Sequence, residues 1–448
     1  MKGKWLIIPV EVKAREFHSR LLLSLTAVNA GFNVIFGSKN QIMNNIPRFP
    51  KGIYFDKSIS INKVWFFDKL QENGIKIVSI DEEGLMSQNN SHKYITQRIG
   101  EVTLGMVEKV FTWGESEREL ICDYYPDFKD KIISSGNPRV DILSKEYNQI
   151  YNQQALKYKE EFGHFILFPS NFTVNHALGS KNFDALLREL GRVKNKADIK
   201  HYKEKAGFFE RTFKKFTELI CELAARYPSI NIIVRPHPSE DHYHWKAIAK
   251  KYRNVFVKYE GAIAPWIKAS QVVIHSSCTT GLEAFLMHKT VLSYLPYTDH
   301  EYVKHISNDV SIVFHKQEDI LTNIDQYLIA GYSDPNVKMK LITLRRHISN
   351  LDAELATERI VRALKAIPLE EDTLDFRTDY ISKAKDTFRR FKKAVKYNNP
   401  ANRYADQKFN GSSLSEVRNI YEQFHKINGI ANSFKISELT KDIYTITS

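Results

Sequence analysis

Short apolar bursts alternate with longer amphipathic stretches through the first 365 residues. Residues 5–10, 33–36, 64–67, 75–80, 109–112 and 132–134 read as strands, with helical patterns between several of them. That alternation predicts parallel α/β sheets. After Ser135-Gly-Asn-Pro-Arg139 the stretch 145–163 turns polar, and a second series opens at 165–168, with strands expected at 230–234, 255–257, 272–275 and 290–294. Two α/β halves joined near 145–163 follow from this. Residues 185–227 hold a long charged helical stretch, read as an insertion or hairpin on the second half. From about Ile367-Pro368 the rhythm stops, so the pattern divides the chain into 1–150, 151–366 and a helical tail, 367–448.

With 43% hydrophobic, 26% charged and 12% aromatic residues in 448, the chain is globular, and global disorder or coiled coil is excluded. Its cysteines, Cys122, Cys221 and Cys278, are three and far apart, so neither a disulfide framework nor a four-thiolate zinc site can be built. A reducing cytoplasm is expected. No apolar run approaches the roughly 18 residues a membrane span needs, and Met1-Lys-Gly-Lys leads into a strand pattern instead of a signal peptide. The net charge of +13 favours anionic partners without choosing among them. In the tail, Ile381, Ala384, Phe388, Phe391 and Val395 form an apolar stripe among Lys and Arg residues. This basic amphipathic helix over 381–397 either packs on the protein body or touches an anionic membrane.

Three constellations carry candidate chemistry. An apolar strand runs into Asp81-Glu82-Glu83-Gly84, where ligands of α/β sheets bind and a base would sit. Glycine is expected to permit a sharp turn there, and neighbouring like charges to raise at least one carboxyl pKa. A second strand runs into Arg235-Pro236-His237-Pro238, whose prolines fix His237 rigidly and whose arginine can meet an anion. A third leads from His275 through Ser276, Ser277, Cys278, Thr279 and Thr280 into a helix, the setting in which backbone N–H groups and hydroxyls hold a phosphate. Glu283, on the first turn of that helix, would accept from a ribose or complement the helix dipole.

The order Glu82-Glu83-Gly84, His237-Pro238 and Ser276-Ser277 resembles the D/E-D/E-G, H-P and S-S/T motifs of bacterial sialyltransferases. Over most of the first 365 residues the chain is also similar to bacterial surface carbohydrate biosynthesis proteins, themselves similar to Kdo and nonulosonic-acid transferases. That likeness rests on residues 9–16, Arg20-Leu-Leu-Leu, Asp81–Gly84, Ser135–Arg139, Arg235–Pro238 and residues 278–284. The resemblance implies a glycosyltransferase-B fold, in which two Rossmann-like domains with parallel sheets face each other across a cleft. It also implies transfer of an acidic 2-keto sugar, Kdo or a sialic, pseudaminic or legionaminic acid, from CMP to a glycan or glycolipid acceptor of the bacterial surface.

In that reading Glu82 is the base, with Asp81 or Glu83 as alternatives. His237, also catalytic in stabilising the departing phosphate, holds the donor with Ser276, Ser277, Arg235, Pro238, Thr279, Thr280 and Glu283; Lys13, Arg15 or Arg235 holds the sugar carboxylate, and Lys13 and Arg15 are also acceptor candidates. No cofactor or metal is expected, since the chain lacks Asp-x-Asp and a departing CMP can be stabilised without a divalent ion. No nucleic-acid partner is expected, and the place of action is the cytoplasm, at or near the inner membrane face. Alternative readings are a CDP-glycerol or CDP-ribitol phosphotransferase, a nucleotide-sugar 2-epimerase, and a non-catalytic glycan- or membrane-binding scaffold.

Overall fold

A computed structural model describes residues 1–85, 91–173, 196–237, 240–298, 300–329, 332, 334–352, 354–376, 408–429 and 433–448. The chain divides into two compact units. Of the described residues, the first comprises those in 1–150 and, later in the chain, those in 341–376 and 408–448; the second comprises those in 151–340.

The first unit opens with β1 (Lys2–Val10), α1 (Lys13–Asn29), β2 (Phe32–Ser38) and β3 (Gly52–Asp56). It continues through β4 (Lys76–Ile80), α2 (Ser91–Arg98), β5 (Lys109–Thr112), α3 (Glu115–Tyr124) and β6 (Ile132–Ser134). Trp5, Leu6, Ile7, Ile8 and Val10 are all fully buried, the near-continuous apolar run of a parallel strand covered on both faces. Strands β2, β1, β3, β4, β5 and β6 pair in parallel in that order, so their carboxyl ends share one edge of the sheet.

The second unit holds β7 (Phe165–Pro169), α4 (Lys196–Arg226), β8 (Asn231–Arg235), β9 (Val255–Val257), β10 (Val272–His275), α5 (Thr279–Leu286), β11 (Thr290–Tyr294) and β12 (Ile312–Phe314). Its six strands are all parallel, in the order β12-β11-β10-β7-β8-β9. Helix α4 lays Phe213, Phe216, Leu219, Ile220 and Leu223 into the core beneath this sheet. Over its described part, the stretch read as an insertion is therefore a core helix. Its charges line the outer face and mask the apolar one.

The chain then returns to the first unit through α6 (Ala356–Lys365), β13 (Asp372–Thr373), α7 (Leu414–Ile427), β14 (Lys435–Thr440) and β15 (Ile443–Thr447). Strand β13 pairs antiparallel with β1, and the β14–β15 hairpin adds to the sheet through β15 antiparallel to β2, with Tyr444 opposite Phe36. The first unit thus takes in residues that the sequence pattern divides between the second domain and the tail.

The α/β class, with two Rossmann-like parallel sheets and a helical stretch near the C-terminus, agrees with the expectation. Residues 64–67 differ: they begin a helix, Val64–Glu72, that buries Phe66, Phe67 and Leu70 and leaves Trp65 exposed. A four-residue apolar burst does not distinguish the two periods. The basic stripe 381–397 lies outside the described residues. Among those described, no helix is long and apolar enough to cross a membrane.

Candidate functional site

In the first unit the acidic motif follows β4 at the carboxyl edge, with Asp81 and Glu82 buried and Glu83 half-buried. Each carboxylate has its own guanidinium. Asp81 accepts a fork from Arg98, 2.6 Å from Nε and 2.5 Å from Nη2. Glu82 meets Nη2 of Arg20 at 2.7 Å, with Arg139 at 3.8 Å and the Asn137 amide at 3.5 Å. Glu83 meets Arg15 at 2.8 Å. Arg15 and Arg20 come from α1, Arg98 from α2, and Asn137 and Arg139 from the turn after β6, so segments far apart in sequence close around one loop.

Mutual repulsion therefore does not set the titration of Glu83. Burial opposes ionisation of Glu83, but Arg15, helped by Arg139 and Arg98, outweighs it and holds the carboxyl below its ordinary value. Gly84 also has a different role from the expected turn. Its backbone is not left-handed; a Cβ there would lie 2.5 Å from the carboxylate of Glu117, so only glycine allows the loop to pack this closely.

Two of the cations expected to meet a sugar carboxylate, Lys13 and Arg15, are already engaged. Lys13 binds Glu416 at 2.7 Å and the Gly411 carbonyl at 2.6 Å, while Arg15 lies between Glu83 and Glu16. Glu11, at the end of β1, gathers Lys39, Lys57 and Lys408 within 2.8 to 3.1 Å, and against burial these ammonium groups hold its carboxyl far below the usual range.

In the second unit, Arg235 closes β8 with its guanidinium bound to the carbonyls of Tyr259, Glu260 and Gly261 at 2.9 to 3.3 Å, over the Trp266 ring. This arginine ties down a loop. His237 follows on the same edge, and Pro238 lies outside the described residues. The buried carboxyl of Glu240 accepts from Ser170 Oγ at 2.6 Å, Trp245 Nε1 at 2.7 Å and the backbone N–H of His237 at 3.2 Å, fixing the loops after β7 and β8 together.

After β10 comes the hydroxyl-rich turn. Ser277 is left-handed, with φ +50°, a strained state for a non-glycine residue, and its Oγ accepts from Asn308 Nδ2 at 3.0 Å. His275 is fully buried beneath the turn. Its Nδ1 accepts the Cys278 N–H at 3.2 Å, which places the ring proton on Nε2, 2.8 Å from Ser311 Oγ, and burial pushes this imidazole down to about 3. A Cβ on Gly281 would lie 2.3 Å from the same ring. Cys278 is the N-cap residue of α5 and no side chain caps the helix; Ser276, Thr280 and Glu283 are half-buried and Thr279 is exposed.

The structure thus groups Asp81, Glu82, Glu83, Lys13 and Arg15 at the carboxyl edge of the first unit, and Arg235, His237, Ser276, Ser277, Thr279, Thr280 and Glu283 at that of the second. Sequence reasoning passed over Glu117 and Glu240. A carboxylate three residues after His237 is a local signal for Glu240, whereas nothing near Glu117 in sequence connects it to the acidic loop. Among the described residues, no group of three or more His, Cys, Asp or Glu side chains is arranged to hold a metal ion.

No protein-family model matches the chain, and no curated protein matches it in sequence. Among solved structures it is similar to UDP-GlcNAc 2-epimerase from Neisseria meningitidis bound to UDP-GlcNAc, at 16% identity and TM-score 0.49, covering 81% of this chain and 99% of that one. The epimerase from Methanocaldococcus jannaschii is similar at 12% identity and TM-score 0.47 over the same shares. The wall teichoic acid polymerase TagF is similar at 9% identity and TM-score 0.43, covering 81% of this chain and 88% of that one. The reading as a transferase of an acidic 2-keto sugar from CMP is corrected by these neighbours, which are epimerases of a UDP-sugar and a teichoic acid polymerase.

Proposed function

We propose that the chain is a nucleotide-sugar 2-epimerase, inverting C2 of a sugar carried on a nucleoside diphosphate. The observation that carries this reading is the turn from β10 into α5. Ser277 is held left-handed by Asn308 above a neutral His275, and the helix that follows directs its N-terminal dipole end at this turn, which favours an anion there. A turn strained into this shape and braced from below is preorganised for a phosphate.

Inversion at C2 requires a proton to leave one face and return to the other. No carbonyl adjoins C2, so its proton becomes removable only when the electron pair of the broken C–H bond forms a C1=C2 double bond and expels the diphosphate from C1; the double bond then takes a proton on the opposite face of C2 while the diphosphate oxygen re-forms its bond to C1. The reaction therefore asks for a carboxylate base and for donors that stabilise the departing diphosphate. In this reading His237 and the β10–α5 turn are the candidate donors, and a carboxylate of the acidic loop after β4 is the candidate base. Glu82 and its neighbours are carboxylates with fixed guanidinium partners, which define their direction.

UDP-GlcNAc in heavy water is the test, being the ligand of a similar solved structure. The expected result is deuterium at C2 with appearance of the C2 epimer, and a melting temperature raised by UDP. Absence of both at millimolar ligand overturns the reading.

A further inference from the structure

Beneath the acidic loop lies a fourth carboxyl with a different setting. Glu117, on the first turn of α3, is 3% exposed and, unlike Asp81, Glu82 and Glu83, forms no salt bridge with a described residue. The Tyr94 hydroxyl donates to its Oε1 at 2.5 Å and the Trp113 backbone N–H to its Oε2 at 2.8 Å. The Gly84 backbone packs against the same carboxyl. Trp113 extends the grip, its indole Nε1–H donating to the Asp81 carbonyl at 2.7 Å. The loop is therefore held at both ends by groups that touch Glu117.

Among the described residues, the charged and titratable groups that act most strongly on this carboxyl come from two elements. The loop after β4 presents Asp81; helix α2 presents Tyr94 and Arg98, and Arg98 is itself bound to Asp81. A second negative charge this close to Asp81 and away from water is costly. We propose that Glu117 is a positioning residue that holds the acidic loop in place as a neutral acid, and that the loop loosens when this proton is lost. The proposal gains its catalytic meaning from reading the loop as the source of the base, but its test needs no substrate.

Burial, with the Asp81 charge adding to it, pushes the Glu117 carboxyl up to about 8, against the Tyr94 and Trp113 hydrogen bonds and Arg98. An unfolded chain loses this proton near 4.5, so the folded form binds more protons between about 4.5 and about 8, and stability falls as pH rises through that window.

The experiment compares the full-length wild type with Glu117→Gln and Tyr94→Phe from pH 6 to 9. It reads the melting temperature and, corrected for intrinsic rates, amide deuterium exchange in the peptide spanning 79–85. In the wild type exchange should speed and stability fall as pH rises toward 9, while Glu117→Gln flattens both. Tyr94→Phe removes a bond that favours the ionised carboxyl, so its transition should move to higher pH. Should Glu117→Gln fail to fold, that displacement decides. Unchanged pH profiles in Glu117→Gln, or an unmoved transition in Tyr94→Phe, overturn the proposal. Failure of UDP-GlcNAc to exchange deuterium would count against the epimerase alone.

Discussion

Arg20 is 1% exposed, with Nη2 on Glu82 at 2.7 Å and its guanidinium carbon 4.6 Å from the centre of the Phe55 ring. Its Nε and Nη1 are buried without a hydrogen-bond partner among the described residues, where Glu82 is the carboxylate that compensates this cation. Removing one member of such a pair leaves an uncompensated buried charge, at a cost of about 3–5 kcal/mol. Urea unfolding should accordingly show Arg20→Met severely destabilised and Arg20→Met/Glu82→Gln less so than the single variant. Simple additivity of the two substitutions would contradict the pairing. The carboxylates themselves were legible in the sequence, because three in succession after an apolar strand is a visible event. Their pairing was not: Arg15 stood out only as a cation for a sugar carboxylate, Arg20 and Arg139 only within motifs of the resemblance and Arg98 not at all, because the fold alone gathers them, and a guanidinium reverses the expected direction of titration for Glu83.

At the scale of elements, the β14–β15 hairpin covers the edge of β2 and buries Ile443, Tyr444 and Ile446 completely. Each such side chain contributes about 1.5–3 kcal/mol of burial, and an uncovered strand edge pairs with other chains. Deleting residues 433–448 should lower the melting temperature by well over 5 °C and produce concentration-dependent aggregation in light scattering; an unaffected, monodisperse protein would show the hairpin to be dispensable. Of the parallel strands, most were readable because buried strands are continuous apolar runs. Strand β3 escaped, since Gly52-Ile-Tyr-Phe-Asp56 is bounded by glycine and a charge and looks like a loop. The terminal hairpin escaped because Lys435-Ile-Ser-Glu-Leu-Thr440 has a polar outer face and its hairpin mate, Ile443–Thr447, pairs with a strand about 400 residues earlier, a distance local pattern does not span.

For the whole molecule, His275 sets an acid limit. Free imidazole takes its proton near 6.5 but this one only near 3, so its contribution to stability is complete above about 6.5 and is lost progressively as pH falls toward about 3. His275→Asn should flatten the fall of melting temperature across that range, and a parallel fall in both proteins would place the acid limit elsewhere. A further property follows from the path of the chain. Among the described residues the second unit is one continuous stretch within 151–340, whereas the first begins before it and is completed by segments that follow it. During synthesis on a ribosome the described part of the second unit can therefore fold as soon as that stretch emerges. The first must wait with α1 bare of α7 and the edge of β2 open until the last strand, Ile443–Thr447, leaves the tunnel. The interval between those two events is when a newly made chain has most need of a chaperone.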